Sequence, residues 1–436
     1  MKMKELWKET VRMPHFLPLT EDLKTDVLII GGGLAGLLTA WRLEQAGVSY
    51  ALIESNRICS GATGRTTAKI TALQGAIYQR LVPKYGSDRA RAYYEANQWA
   101  VREYERLCGG MDCDFEHRDA YLYAREDPRP LLKELTALQR MGLACDLQKE
   151  LPLPFATAGG IRLERQAQFN PLKFAAAIAR GLNIYEHTTA QSCSGDTVQT
   201  IGGQITAKRI VVATHFPFLN RHGAYFMKLY QQRSYVLGLE GVPPLEGMFL
   251  EEGGLSLRSY GNVLLLGGGS HRTGKPSDGW DSLLWAARAY FPGGREQYRW
   301  ANQDCISLDG MPYIGRYAKG RRDLYVASGF NKWGMTGSML ASRLLADLIL
   351  EKDAPYRALF APPRGILHGQ LAVNLFESTV NLLRLKKPRC SHMGCALQWN
   401  PHEQSWDCPC HGSRFDAQGE LLENPAMGDL KKRSTQ

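Results

Sequence analysis

Residues 26–54 read DVLIIGGGLAGLLTAWRLEQAGVSYALIE, and no other stretch of the chain restricts the fold so tightly. DVLII is an apolar run of the kind that forms a buried parallel strand. GGGLAG follows at once and matches G-x-G-x-x-G through Gly31, Gly33 and Gly36. Leu34, Leu37, Leu38, Trp41 and Leu43 then recur at helical spacing until Gly47. SYALIE is the next strand and ends in Glu54. Strand, glycine turn, helix, strand and terminal acid, in that order, predict a βαβ cradle for a dinucleotide. The glycines let backbone approach a pyrophosphate, and the helix N-terminus offers it N–H groups and a positive dipole end. Glu54 stands where a carboxylate accepts from a ribose 2′-OH.

The rest of the composition is that of an ordinary globular chain, with 44% apolar and 22% charged residues. The net charge of +10 is scattered, with short clusters only at Lys386–Lys387 and Lys431–Arg433, which argues against a nucleic-acid partner. The N-terminus has no apolar signal-type region and carries Glu5 and Glu9. The most apolar run, 27–41, is interrupted by four glycines and is shorter than a membrane span. A cytoplasmic protein without an integral membrane segment is therefore expected. Of ten cysteines, six are spread over 59–305 without framework spacing and read as buried thiols. The other four fall within 21 residues near the C-terminus.

The glycine fingerprint alone does not choose between NAD and FAD. Three further stretches favour FAD. CSGATGRTTAKI (59–70) places Gly61, Gly64, Arg65, Thr66 and Thr67 in a hydroxyl-rich loop just after the acidic strand. AKRIVVATH (207–215) is a strand ending in Ala213–Thr214. DGMPYIG (309–315) leads into a strand, a glycine-rich turn and an amphipathic helix over 324–350. A helix start near Thr336–Gly337 would aim its dipole at the flavin pyrimidine ring. GGG at 267–269 also follows an apolar strand, but no helical period comes after it, so no second nucleotide site for NAD(P)H is indicated.

From about residue 25 to 352 these motifs resemble the glycine oxidase and D-amino-acid dehydrogenase group of flavoproteins. The resemblance implies an α/β + β architecture, a discontinuous Rossmann-like FAD domain roofed by an antiparallel-sheet substrate domain. It divides the chain into an extension at 1–24, FAD-binding segments at 25–75, 156–215 and 305–352, and substrate or cap segments at 76–155 and 216–304. FNPLKFAAAIARGL (169–182) reads as a helix returning to the FAD domain, and SYVLGL and GNVLLLGG as roof strands. The expected cofactor contacts are Gly31, Gly32, Gly33, Leu34, Ala35, Gly36, Glu54, Ser55, Gly61, Gly64, Arg65, Thr66, Thr67, Ala190, Ala213, Thr214, Gly310, Gly334, Met335 and Thr336.

The clustered cysteines lie in CSHMGC (390–395) and CPCHGS (408–413). Cys390, His392, Cys408 and His411 form C-x-H, fifteen intervening residues, then C-x-x-H. Equal numbers of thiolates and imidazoles suit zinc or an iron–sulfur cluster, although C-x-H is unusual for a zinc ribbon. Cys395 and Cys410 stand one in each loop, where a disulfide could staple the two.

These paired motifs resemble a Rieske [2Fe–2S] domain. The resemblance assigns Cys390 and Cys408 to one iron and His392 and His411 to the other. It pairs Cys395 with Cys410 in a disulfide, makes Ser413 a donor to a bridging sulfide, and gives Pro409 and Gly412 the turn positions. Phe415 stands where high-potential members carry a Tyr that donates to a cysteine sulfur, so a potential below the top of the range is expected. The domain, 390–436, is short, and residues 366–385 ahead of it read as a helix within a linker at 353–389 rather than as strands.

Flavin and cluster in one chain imply a relay from substrate to FAD to cluster to a soluble or quinone-like acceptor. The alternatives are an electron-transfer reductase without organic substrate and a redox sensor. No catalytic residue is assigned. Asp304 stands about where amino-acid-oxidising relatives hold the substrate carboxylate with an Arg, which favours a cationic amine; its other reading is a solvated loop residue. Arg233 and Arg258 are possible replacements for that Arg, and Lys332 reads as a surface residue.

Overall fold

The computed structural model describes residues 3–220, 222–384 and 387–431. Lys386 and residues 432–433 of the basic clusters lie outside this range. Two large sheets and one small one organise the chain. The first is built on the nucleotide unit: strand Leu23–Ile30 lies between Tyr50–Ile53 and Gln204–Val212, all parallel, with Leu324–Ser328 next to Gln204–Val212. Helices Leu34–Gln45 and Gly334–Ile349 pack on it. Val27, Leu28 and Ile29 are completely buried, as a central parallel strand covered on both faces requires.

The second sheet has nine strands and forms the roof. Strands Leu229–Glu240, Val263–Arg272, Ser256–Tyr260 and Arg295–Ser307 pair antiparallel within it. GGG 267–269 lies inside the strand Val263–Arg272, where it opens no helix. The segment 156–170 departs from the expected division: its strand Gly159–Gln168 pairs with Glu116–Ala124 in the roof, and Lys69–Ile70 joins the same sheet. The chain thus crosses to the roof before the helix Pro171–Ile178 returns it. Nor does the N-terminal extension trail free. Trp7 is fully buried, donates from Nε1 to the Thr66 carbonyl at 2.7 Å and packs edge-on to Tyr260.

The third sheet contains four short antiparallel strands between Gln398 and Glu423. Helix Gly369–Leu383 precedes it, where the sequence predicts a helix. This small unit lies directly against the roof through a buried ion-pair network. Arg233, 2% exposed, binds Glu403, 1% exposed, at 2.8 Å from Nε, and also reaches Glu423. Arg414 joins Glu403, Asp407 and Glu423, and Arg65 bonds Glu423 at 2.8 Å. Among the described residues no helix is long and apolar enough to cross a membrane.

Candidate functional site

The cradle is held together by close backbone contacts. A Cβ on Gly36 would lie 2.0 Å from the Gly31 carbonyl oxygen, so only glycine lets the helix sit against the turn. Gly31 has φ +114°, and its Cβ would lie 2.5 Å from the Ala213 carbonyl oxygen. The N-cap of the helix Leu34–Gln45 is Gly33, which has no side chain to cap it; Thr63 Oγ1 accepts from the Leu34 N–H at 3.1 Å, and the rest of the first turn keeps N–H groups for an anion. Glu54 accepts from the Gly32 N–H at 2.7 Å and the Asn56 N–H at 2.9 Å, which fixes its carboxylate at the strand end. Ser55 Oγ also donates to the oxygen that Asn56 bonds, at 3.0 Å, so the oxygen facing Gly32 is the one that keeps a second lone pair for a ligand hydroxyl.

From this cradle a cavity of about 990 Å³ runs under the roof. That is the upper end of the range of about 300–1,000 Å³ for small-molecule sites. Of the expected contacts, Gly31, Gly33, Leu34, Ala35, Glu54, Ser55, Gly61, Arg65, Thr66, Thr67, Ala190, Ala213, Thr214, Gly310, Gly334 and Met335 line it. Gly32, Gly36, Gly64 and Thr336 stand behind the wall. Gly64 is pressed against the Cys59 carbonyl, and Thr336 accepts from Gln74 Nε2 at 2.9 Å. Tail residues Leu421 to Asn424 and Ala426 to Asp429 also line the cavity, which sequence reading did not anticipate.

The substrate-side expectations change. Asp304 is no solvated loop residue: it sits on the strand Arg295–Ser307 and faces the cavity, where burial raises its pKa despite nearby Lys332 and His215. Lys332 is exposed, as expected, but it stands at the cavity, with φ +71° and its Nζ 2.6 Å from Ser270 Oγ. Arg233 and Arg258 are unavailable to a substrate. Arg233 is consumed by Glu403 and Glu423, and Arg258 is buried, donating to the Ala68 and Phe169 carbonyls. Sequence reading also missed Lys69, whose amine hydrogen-bonds Ser256 Oγ at the cavity wall, where burial lowers its pKa to about 7. In sequence it stands out only as a lysine midway between Thr67 and Thr71.

At the other end of the chain the two loops meet. The rings of His392 and His411 lie 5.0 Å apart, nearly perpendicular. Both Nδ1 atoms are buried without a partner. The other nitrogen of His392 is held by Asn220 at 3.0 Å, and His411 donates to the Phe226 carbonyl. Imidazoles with one nitrogen fixed by the protein and the other orphaned are arranged as metal ligands. Cys390 and Cys408 are in hydrogen-bond contact, and Ser413 Oγ reaches Cys390. The expected disulfide is not formed: Cys395 and Cys410 are free thiols, as are all the cysteines. Their sulfurs share a pocket with that of Cys408, all within 4.8 Å, and both contact it instead of forming a bond with each other. The donor set is two imidazoles and a nest of buried thiols, which fits an iron–sulfur cluster.

Comparison with known proteins agrees with both ends. Residues 26–348 match the family DAO, FAD dependent oxidoreductase, and residues 363–433 match the Rieske [2Fe-2S] domain. The chain is 33% identical to the putative Rieske 2Fe-2S iron-sulfur protein YhfW of Bacillus subtilis, over 98% of this chain and 96% of that protein. It is 24% identical to gamma-glutamylputrescine oxidoreductase of Escherichia coli, over 77% of this chain and 85% of that one. The crystal structure of glycine oxidase from Geobacillus kaustophilus superposes with a TM-score of 0.67 at 24% identity, covering 79% of this chain and all of that one. FAD and a Rieske-type [2Fe–2S] cluster are the cofactors these domains take. The chain belongs to the DAO family of FAD-dependent oxidoreductases and ends in a Rieske domain.

Proposed function

We propose that this protein is a dehydrogenase that oxidises an amine or amino-acid-like substrate at its C–N bond and delivers electrons singly to an external acceptor. One observation carries the reading. Ala213, Thr214 and His215 line the nucleotide cavity, and the next residue, Phe216, lies edge-on to both His392, at 6.4 Å, and His411, at 6.1 Å. Asn424 of the tail pins this segment, donating to the Thr214 carbonyl at 2.6 Å and the Phe216 carbonyl at 3.2 Å. A four-residue bridge between the two sites suits a relay.

Bound at these sites, FAD supplies a two-electron hydride acceptor and the cluster a one-electron carrier. The cavity-lining residues of the cradle would hold FAD. Cys390, Cys408, His392 and His411 would hold the cluster, with Cys395 and Cys410 adjacent for a stapling disulfide. The segments 25–75, 171–215 and 305–352 would serve mainly the flavin, and 76–170 and 216–304 the substrate. The cavity offers charges of both signs, Asp304 beside Lys332, and so suits a substrate carrying an ammonium with a carboxylate or a second polar group. The relationship to gamma-glutamylputrescine oxidoreductase and the glycine oxidase fold agrees with that class.

Anaerobic mixing with a panel of amines and amino acids tests the reading. Members of the panel are expected to bleach the flavin, with Asp304→Asn losing cationic substrates first. Bleaching by NAD(P)H or a reduced carrier alone would instead identify a reductase. No bleaching, with oligomeric state following the cluster's oxidation, would identify a sensor.

A further inference from the structure

Helix Gly369–Leu383 is amphipathic the wrong way round. Its buried residues are Asn374 and Asn381, and Gln370 and Glu377 lie on the same side. They are held there. Arg272 and Gln370 bond Asn374, Lys275 pairs with Glu377 at 2.6 Å, Asn381 Nδ2 donates to the Glu377 carbonyl at 2.8 Å, and the Asn381 backbone carbonyl accepts from the Ala396 N–H. The opposite face is apolar and open: Val373, Leu375, Phe376 (66% exposed), Leu382 and Leu383 (73% exposed). Leu367, just before the helix, is 90% exposed. A contiguous apolar face of this kind marks a contact surface.

Charge identifies what covers it. The only acid on the helix is Glu377, and Lys275 already neutralises it. Arg384, Lys387 and Arg389 follow the helix, and Lys84 lies beside its start, 2.6 Å from His368. An isologous pairing of two copies would set these cations against themselves. A convex apolar helix with flanking cations is instead suited to lie in the interface of an anionic bilayer. Gln370, on the inward face of the same helix, lines the flavin cavity. We propose that the helix Gly369–Leu383 docks the protein on an anionic membrane surface, without crossing it.

Flotation of the cofactor-loaded full chain with vesicles tests this, comparing phosphatidylcholine alone with phosphatidylcholine mixed with phosphatidylglycerol. The protein is expected to float with the anionic vesicles at low salt and to be released by high salt. The double variant F376E/L383E should bind more than tenfold more weakly, from the lost apolar burial. Arg384→Glu should bind severalfold more weakly. Both should keep the flavin and cluster absorbance of the parent, because the substituted side chains are exposed. Failure of the parent chain to float, or undiminished flotation of F376E/L383E, overturns the proposal. So does a lipid-free dimer, or a complex with an acceptor protein, that the same double substitution abolishes.

Discussion

The two cluster loops carry the same residue types, yet the fold holds them differently. In the second loop, four successive carbonyls accept hydrogen bonds from roof side chains. Arg272 donates to Pro409 at 2.8 Å and Cys410 at 3.0 Å, Gln231 to His411 at 2.9 Å, and Gln303 to Gly412 at 2.9 Å. The first loop takes its bonds mainly from the tail itself: Arg389 to the Gly394 carbonyl at 2.7 Å, and Ser391 to Gly428 at 2.6 Å. From the flavoprotein half it takes one side-chain hydrogen bond, from Asn220, and the edge of the Phe216 ring. His411 is buried, whereas Ser391 and Met393 around His392 are exposed. One loop is part of the flavoprotein half and the other faces outward, a geometry that suits entry of electrons on one side and exit on the other.

If the second loop depends on the roof, breaking the ion pair beneath it gives the largest effect. Glu403→Leu leaves Arg233 and Arg414 buried with one carboxylate fewer and is expected to cost about 3–5 kcal/mol. Thermal unfolding and limited proteolysis of the tail will read it. The same network makes the docked tail acid-labile. Arg233, Arg414 and Arg65 hold Glu423 down at about 2, against an ordinary value of 4.5. A depressed carboxylate stabilises the fold above its unfolded pKa, and that contribution is lost as pH falls from about 4.5 towards 2. Unfolding followed across this window should show the loss, and Glu423→Gln should flatten it.

A matched pair of glycines sharpens the contrast. Gly412 has φ +87°, and its Cβ would meet the Gln231 side chain at 2.6 Å; Gly394 has φ +75° with nothing within 4 Å. Gly394→Ala should cost only the left-handed strain of about 1 kcal/mol. Gly412→Ala should cost more and lower the iron content of the purified protein. Equal losses would dissolve the distinction between the loops. The smallest effect expected is a difference in cluster retention. Gln303→Leu strands a buried carbonyl at about 1–3 kcal/mol, whereas Asn220→Ala, at a half-open imidazole, should cost about 0.5–1.5 kcal/mol.

Much of this was legible in the chain. The cradle shows in sequence because its parts are neighbours: glycines, helix and acid fall within 29 residues. The cluster loops show because ligand spacing is local. What holds the two ends together does not show. Arg233 and Glu403 are 170 residues apart, and Gln303 and Gly412 are 109 apart. Nothing in an isolated arginine or glutamine announces such a partner. Arg233 reads as a free cation for substrate until the tail is folded onto it. Asp304 reads as a loop residue because the strand Arg295–Ser307, largely polar as REQYRWANQDCIS, hides its place facing the cavity. Strand Gly159–Gln168 joins the roof through pairing with Glu116–Ala124, a long-range register that local patterning does not carry.

Light-driven reduction of the flavin in anaerobically purified protein, with a sacrificial donor and freeze-quenched EPR, tests the joined path most directly. The account predicts two irons per chain and a reduced Rieske signal that grows as the reduced flavin is reoxidised. Zinc in place of iron, or a flavin that stays reduced beside an oxidised cluster, would contradict it.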